Sequence, residues 1–265
     1  MGTLAYHDYS LEDALRGIGA AGFRYVELSA TRGGCEHVPA DMDDEAVAAL
    51  RQRLAYFGLQ VSSVNGNLGL TTREAIELSK KAMGLASKLG AKIVVNTIGG
   101  PGNQEDLAVF LANAGEAAEH ARRCGVILGI EIHGEHTGNG ALTLEVVRRV
   151  NHPNVKINYD TANCIYFSGT LPYEDLRVAV PETAHIHLKD KIGGKGVWNF
   201  PLMGMGETDF ARVFRILDES GYAGPFSIEV EPERGSRPTL AETDQMAKVA
   251  YRNVSRFLSP YWRQG

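Results

Sequence analysis

The chain of 265 residues is poor in cysteine, in excess charge of either sign and in long apolar runs. Each shortage removes a class of protein. Cys35, Cys124 and Cys164 are widely spaced and odd in number. They offer neither a disulfide framework nor paired thiolate ligands, and packed thiols in a reducing cytoplasm are the expectation. No stretch approaches the roughly 20 apolar residues that a spanning helix needs. The opening "MGTLAYHDYS" lacks a basic segment followed by an apolar run, so no secretory signal is expected. A formal net charge of -5 gives no general attraction for a polyanion, and neither nucleic acid nor membrane is an expected partner. A glycine-rich dinucleotide fingerprint is missing too, since "YHDYSLED" stands where it would follow the first strand.

What is present is a regular alternation. Short β-branched runs read as strands: "TLAYH", "YVELS", "QVSSVNGN", "KIVVNT", "VILGIEIH", "KINYD", "AHIHLKD" and "FSIEVE". Between them lie longer amphipathic patterns, among them "SLEDALRGIGAAG" and "TTREAIELSKKAMGLASKLG". Ser10, Asp43 and Thr71 are candidate helix starts, and Gly22, Gly58, Gly90, Gly125 and Gly221 candidate stops. Strands alternating with helices imply a parallel sheet. Eight such units with no linker or change of composition predict one (β/α)8 TIM barrel, a single α/β domain over residues 1–265.

Barrel sites lie at the carboxyl ends of the strands, so the polar residues there carry the functional reading. The first strand ends at His7, the third at Asn65 and the fourth at Asn96. The fifth presents Glu131 and then His133 on the face opposite Ile130 and Ile132, and the sixth ends at Asp160. Alternation places His185, His187 and Lys189 on one face of the seventh strand, and Ser227, Glu229 and Glu231 on one face of the eighth. Any one of these has a structural explanation; Asp160 in "YDTAN", for instance, suits an Asx turn or a helix cap. Several carboxylates converging on one mouth repel one another unless a cation compensates. Three carboxylates with one imidazole suit Mn²⁺, Mg²⁺, Co²⁺ or Zn²⁺ in a reactive site better than a structural zinc.

Glu at strand five, Asp-Thr at strand six, His-x-His-x-Lys-Asp at strand seven and Ser-Ile-Glu at strand eight resemble the xylose isomerase-like TIM-barrel superfamily. The likeness runs over nearly the whole chain and is narrower to the sugar phosphate isomerase/epimerase branch. It implies one divalent ion, Mn²⁺ before the others, on Glu131, Asp160, His187 and Glu229. It also implies proton transfer by Glu131 and Glu229 on an α-hydroxy ketone or aldose, through an enediolate. His133 is a further base candidate or a support for Glu131, and Lys189 a candidate for polarising substrate or for pairing with carboxylates. His7, Asn65, Asn96, Asn163 and Trp198 are the candidate substrate contacts. Two departures stand out: Asn163 replaces a histidine that many members carry, and "KDKIGGKG" lacks the arginine of the ketohexose 3-epimerases.

The leading expectation is therefore a metal-dependent isomerase or epimerase of a small sugar or polyol-derived ketone. A lyase on the same scaffold, of inosose dehydratase or 3-keto-glycoside type, is the alternative, and a barrel that binds a sugar or protein without turnover comes third. No phosphate nest is visible near strands seven and eight, only Lys191 and Lys195. The glycine-rich loop "GGKGVWNFPLMGMGETDF" brings Trp198 and Phe200, suited to cover a sugar or to meet neighbouring loops, a second copy or a partner subunit.

Overall fold

The structure is a computed structural model and describes residues 1–99, 104–231 and 235–261. Seven strands form one parallel sheet in chain order: β1 (Tyr25–Ser29), β2 (Gln60–Gly69), β3 (Ile93–Thr97), β4 (Ile127–Glu131), β5 (Val155–Asp160), β6 (Thr183–Leu188) and β7 (Phe226–Ile228). Around them run the helices α1 (Leu11–Ala21), α2 (Asp44–Tyr56), α3 (Arg73–Leu89), α4 (Gln104–Cys124), α5 (Gly140–Val150), α6 (Asn163–Ser168), α7 (Pro172–Ala179), α8 (Phe210–Glu219) and α9 (Leu240–Leu258). The result is a TIM barrel. None of the described helices is long and apolar enough to cross a membrane.

The expected first strand is not a strand. Thr3–Tyr6 forms a 3-10 helix, and only Gly2 bridges to Glu27 of β1. Met1 O accepts from Glu27 N (3.1 Å) and Gly2 N donates to Ile228 O (3.0 Å), so two residues close the seam between β1 and β7. The next β1 donor, Ser29 N, is satisfied by the Thr3 hydroxyl at 2.9 Å, which removes the need for a longer strand. Tyr6 turns into the core, its hydroxyl donating to Asp244 of α9 at 2.9 Å. His7 consequently lies beyond the 3-10 helix, exposed, with Nε2 3.3 Å from Asp8 Oδ2.

Local chemistry sets the helix limits. Ser10 and Asp43 accept from the amides of Asp13 and Ala46, as first-turn caps do. At α3 the cap is Thr72 rather than Thr71. Gly22 and Gly90 end their helices with φ of 106° and 79°, a conformation that costs glycine little. The segment after Asp160 forms the short α6, which helical periodicity over six residues cannot reveal.

Alternation along the strands separates two interiors. Val26, Leu28, Ile130, Ile157, Ile186 and Leu188 are fully buried in the hydrophobic core between sheet and helices. The intervening positions, Glu27, Ser63, Asn158, His185, His187 and Ser227, bond to one another, His187 reaching Glu27 and His185 reaching Ser63 between non-adjacent strands, and so fill the barrel itself. Barrel interiors are usually filled by branched apolar side chains. This one is polar, and each of its charges needs a partner.

Candidate metal centre

Glu131 ends β4, Asp160 ends β5, His187 lies in β6 and Glu229 follows β7. One ligand-type atom from each falls within 4.8 Å of the others. Register explains the convergence: Asp160 pairs with His187, and His187 with Ser227, two residues before Glu229. His187 Nδ1 is 2.9 Å from Glu131 Oε1 and 2.8 Å from Glu229 Oε2, and only the first contact is a hydrogen bond. Asp160 uses Oδ1 to accept from the amides of Ala162 (2.8 Å) and Asn163 (2.7 Å), holding the start of α6. Its Oδ2 and Glu229 Oε2 are buried without a hydrogen-bond partner among the described residues. Such atoms are costly in a native fold and mark where another group belongs.

The charges of the site depend on one another. Burial, with Glu229 and Glu131 nearby and Lys189 opposing, raises the Asp160 carboxyl to about 7. For Glu229, burial acts upward, but Lys189 and His187 together outweigh it and hold the group below the carboxylate range. His187 would be lowered by burial; Glu27, Glu229 and Glu131 overcome that and hold the ring well above its ordinary value. Buried carboxylates, two of them with an unsatisfied oxygen, and an imidazole nitrogen facing them fit a divalent cation.

Glu27 escaped the sequence reading. It is buried in β1, with Oε1 3.0 Å from His187 Nε2 and Oε2 accepting from the Ser63 hydroxyl at 2.6 Å. Burial raises this carboxyl, yet His187, His185 and Ser63 bring it to about 2. An acid inside the apolar "YVELS" was the available signal, the same one that made Glu131 conspicuous. Glu27, His185 and His187 form a second group with metal-ligand spacing. His185, however, is lowered to about 3, chiefly by burial, and is a neutral ring donating from Nδ1 to Asn158 Oδ1 (2.7 Å).

The remaining candidates divide. Lys189 is buried, donates to Glu229 Oε1 at 2.9 Å and pairs with Glu231, with Phe200 covering it at 4.5 Å from its ring centroid. Its ammonium is committed to carboxylates, and Glu231 serves it rather than joining the quartet. Asn96 is also committed, accepting from Leu68 N and donating to Ser79. Asn163 donates to Ile132 O at 2.9 Å, and Asn65 accepts from Asn67 N at 3.0 Å. Because β4 ends at Glu131, His133 does not continue the strand alternation. Its exposed ring lies 4.7 Å from Phe167, and among the described residues no hydrogen bond joins it to Glu131. His7, exposed beside Asp8, stands outside the group. Trp198 packs edge-on against Tyr166 and Phe200.

A cavity of about 1040 Å³ lies at this end of the barrel, walled among others by Asn67, Thr97, His133, Tyr166, Phe167 and Lys195. Its walls come from the carboxyl ends of β2 and β3 and from the segments following β3 to β6. His133 is two residues past Glu131, which limits their Cα separation to about 7.6 Å.

A model of the family described as "Xylose isomerase-like TIM barrel" matches residues 15–250. The chain belongs to this family. Its relatives include the L-ribulose-5-phosphate 3-epimerase of Salmonella typhi, 25% identical over 232 residues that cover 82% of this chain and 81% of that one. Among solved structures, the IOLI protein with a bound zinc atom superposes with a TM-score of 0.81 at 18% identity, covering 100% of this chain and 99% of the other. The probable 3-DHS dehydratase AsbF of Bacillus anthracis gives 0.75 at 16% identity, over 96% and 97% of the two chains. At those identities the structures speak for the fold that the family members share.

Proposed function

We propose that the chain is a divalent-metal-dependent isomerase or epimerase of a small α-hydroxy ketone or aldose. The observation that carries this reading is the largely buried quartet, in which two carboxylate oxygens have no hydrogen bond among the described residues. Glu131, Asp160, His187 and Glu229 would hold the ion, with Mn²⁺ suited to a set of mainly oxygen donors. Held there, the ion would supply Lewis acidity toward a substrate carbonyl, making the neighbouring C–H more acidic.

The chain's own groups do the rest. Glu131 and Glu229 flank His187 and are the carboxylates available to take and return a proton. Lys189 keeps Glu229 ionised and fixed, so its part is played through Glu229. Phe200, Tyr166 and Phe167 run as touching rings from Lys189 to His133, an apolar rail along which a sugar's C–H face can lie. The relative named as a 3-epimerase supports the reaction class.

The test is incubation of metal-loaded protein with aldoses, ketoses, inososes and 3-keto-glycosides in D₂O, followed by NMR. Deuterium should enter at the carbon next to the carbonyl. Full retention of every hydrogen in a converted substrate, without internal transfer, would sink the proposal. A lyase is the second reading, favoured by the His133 ring that borders the cavity unbonded to Glu131 and supported by the fold shared with a dehydratase. Its product would have lost a β-leaving group, which the same spectra report.

A further inference from the structure

Two groups of metal-ligand type share His187: the quartet on its Nδ1 side, and Glu27 with His185 on its other side. We infer that the second group is not another ion site but the support that aims His187 at the first, and that Glu27 is its positioning residue. The inference rests on the metal reading above.

The hydrogen bonds of the barrel floor decide it. Asn158 Oδ1 can only accept, so the His185 nitrogen 2.7 Å away, Nδ1, carries its hydrogen. In the neutral ring Nε2 then accepts, and the Ser227 hydroxyl is 3.0 Å from it. Both nitrogens of His185 are thereby used. Glu27 Oε2 takes the Ser63 hydroxyl at 2.6 Å, while Oε1 faces His187 Nε2 at 3.0 Å. A carboxylate also only accepts, so His187 holds a hydrogen on Nε2 toward Glu27 and shares a second from Nδ1 with Glu131. An ion on the quartet side would displace the Nδ1 hydrogen while Glu27 keeps the one on Nε2. Nδ1 faces Glu131 and Glu229. Every donor atom of the lower group is spoken for, whereas in the quartet Asp160 Oδ2 and Glu229 Oε2 have no hydrogen bond among the described residues.

A carboxylate behind a ligating histidine fixes the ring's orientation and makes its free nitrogen a better donor, and removing such a partner typically lowers metal affinity by roughly 10–100-fold. Zn²⁺ alone is the probe, titrated calorimetrically into metal-free protein and its variants, with ¹⁵N NMR of the histidine rings. Wild type should take one Zn²⁺ per chain, Glu131→Gln should lose tight uptake, and Glu27→Gln should take one ion roughly 10–100-fold more weakly. In the loaded wild type His187 should carry hydrogen on Nε2 and zinc on Nδ1, and Glu27→Gln should move the Nε2 resonance. Unchanged affinity in Glu27→Gln, zinc on Nε2, or a second zinc that His185→Gln removes would each overturn this inference alone. No uptake by wild type, or wild-type affinity in Glu131→Gln, would overturn the metal reading and this inference with it. Should Glu27→Gln fail to fold, Ser63→Ala replaces it. It should shift the same Nε2 resonance and weaken binding, and no change in either would count against Glu27.

Discussion

At the scale of single residues, the site is a contest between protons and an ion. Asp160, raised to about 7, holds a proton at mildly acidic pH, and His187 holds one well above the ordinary imidazole range. An ion must displace both. Affinity should therefore rise with pH, by up to about two log units per pH unit below about 7 and by about one above it, once Asp160 is already ionised. Metal titrations across pH 5.5 to 8.5, flat throughout, would contradict that picture. A second residue-scale expectation concerns His133. If Glu131 and Glu229 move the protons, His133→Asn keeps its metal and loses less than roughly tenfold in turnover. A loss on the order of 10²–10⁴-fold with intact metal content would assign it the general-base role of the lyase reading. The quartet could be read in the sequence because acids in apolar strands are conspicuous. Glu27 carried the same mark, but its meaning depends on His187, 160 positions away in the chain. The placing of His133 on the strand face of Glu131 was not legible, because β4 ends at Glu131 and its alternation stops there.

At the scale of elements, the most informative segment is the loop between β6 and α8. Asp190 is buried at its base, and its carboxylate accepts four backbone amides: Lys191 (2.8 Å), Thr208 (3.1 Å), Gly204 (2.8 Å) and Gly206 (2.8 Å). A Cβ on Gly206 would come within 2.4 Å of Asp190 Oδ1, so the amide approaches this closely only because the residue is glycine. Asp190→Asn would set an NH₂ group against two of those donors. Leaving them unsatisfied costs about 1–3 kcal/mol each, so the midpoint of chemical unfolding should fall clearly. An unchanged midpoint would show that the loop is held by something else. Strand and helix positions were legible from periodicity, and so was the loop's length. The role of Asp190 was not, because backbone amides leave no trace in a sequence. The first strand was misread for a related reason: "TLAYH" has strand composition, but the Thr3 hydroxyl and the buried Tyr6 favour a tighter turn.

At the scale of the whole molecule, the barrel holds charge where others hold apolar filler, and an ion should repay it with stability. Bound at 100 times its dissociation constant, an ion adds about 2.7 kcal/mol. For a chain of this size that shifts the melting temperature by roughly 5–10 °C. Chelation should reverse the shift, and Glu131→Gln should lack it. An identical melting curve with and without chelator would argue against an ion at the quartet. The family was legible as a whole because four motifs fall in order on four successive strands.

The two-residue seam at Met1–Gly2 has a kinetic meaning. Each strand pairs with the next in chain order, so the sheet can grow by short steps. Gly2 to Ile228 is different: that contact closes a ring of nearly the whole chain, at an entropic cost on the order of 5 kcal/mol. Closure is then the late event. Glu27 lies on one flank of the seam and Glu229 just past the strand on the other, and both reach His187. The centre is complete only when the ring has shut, and an ion seated there would work as a latch, slowing the opening of the barrel far more than it would hasten its assembly.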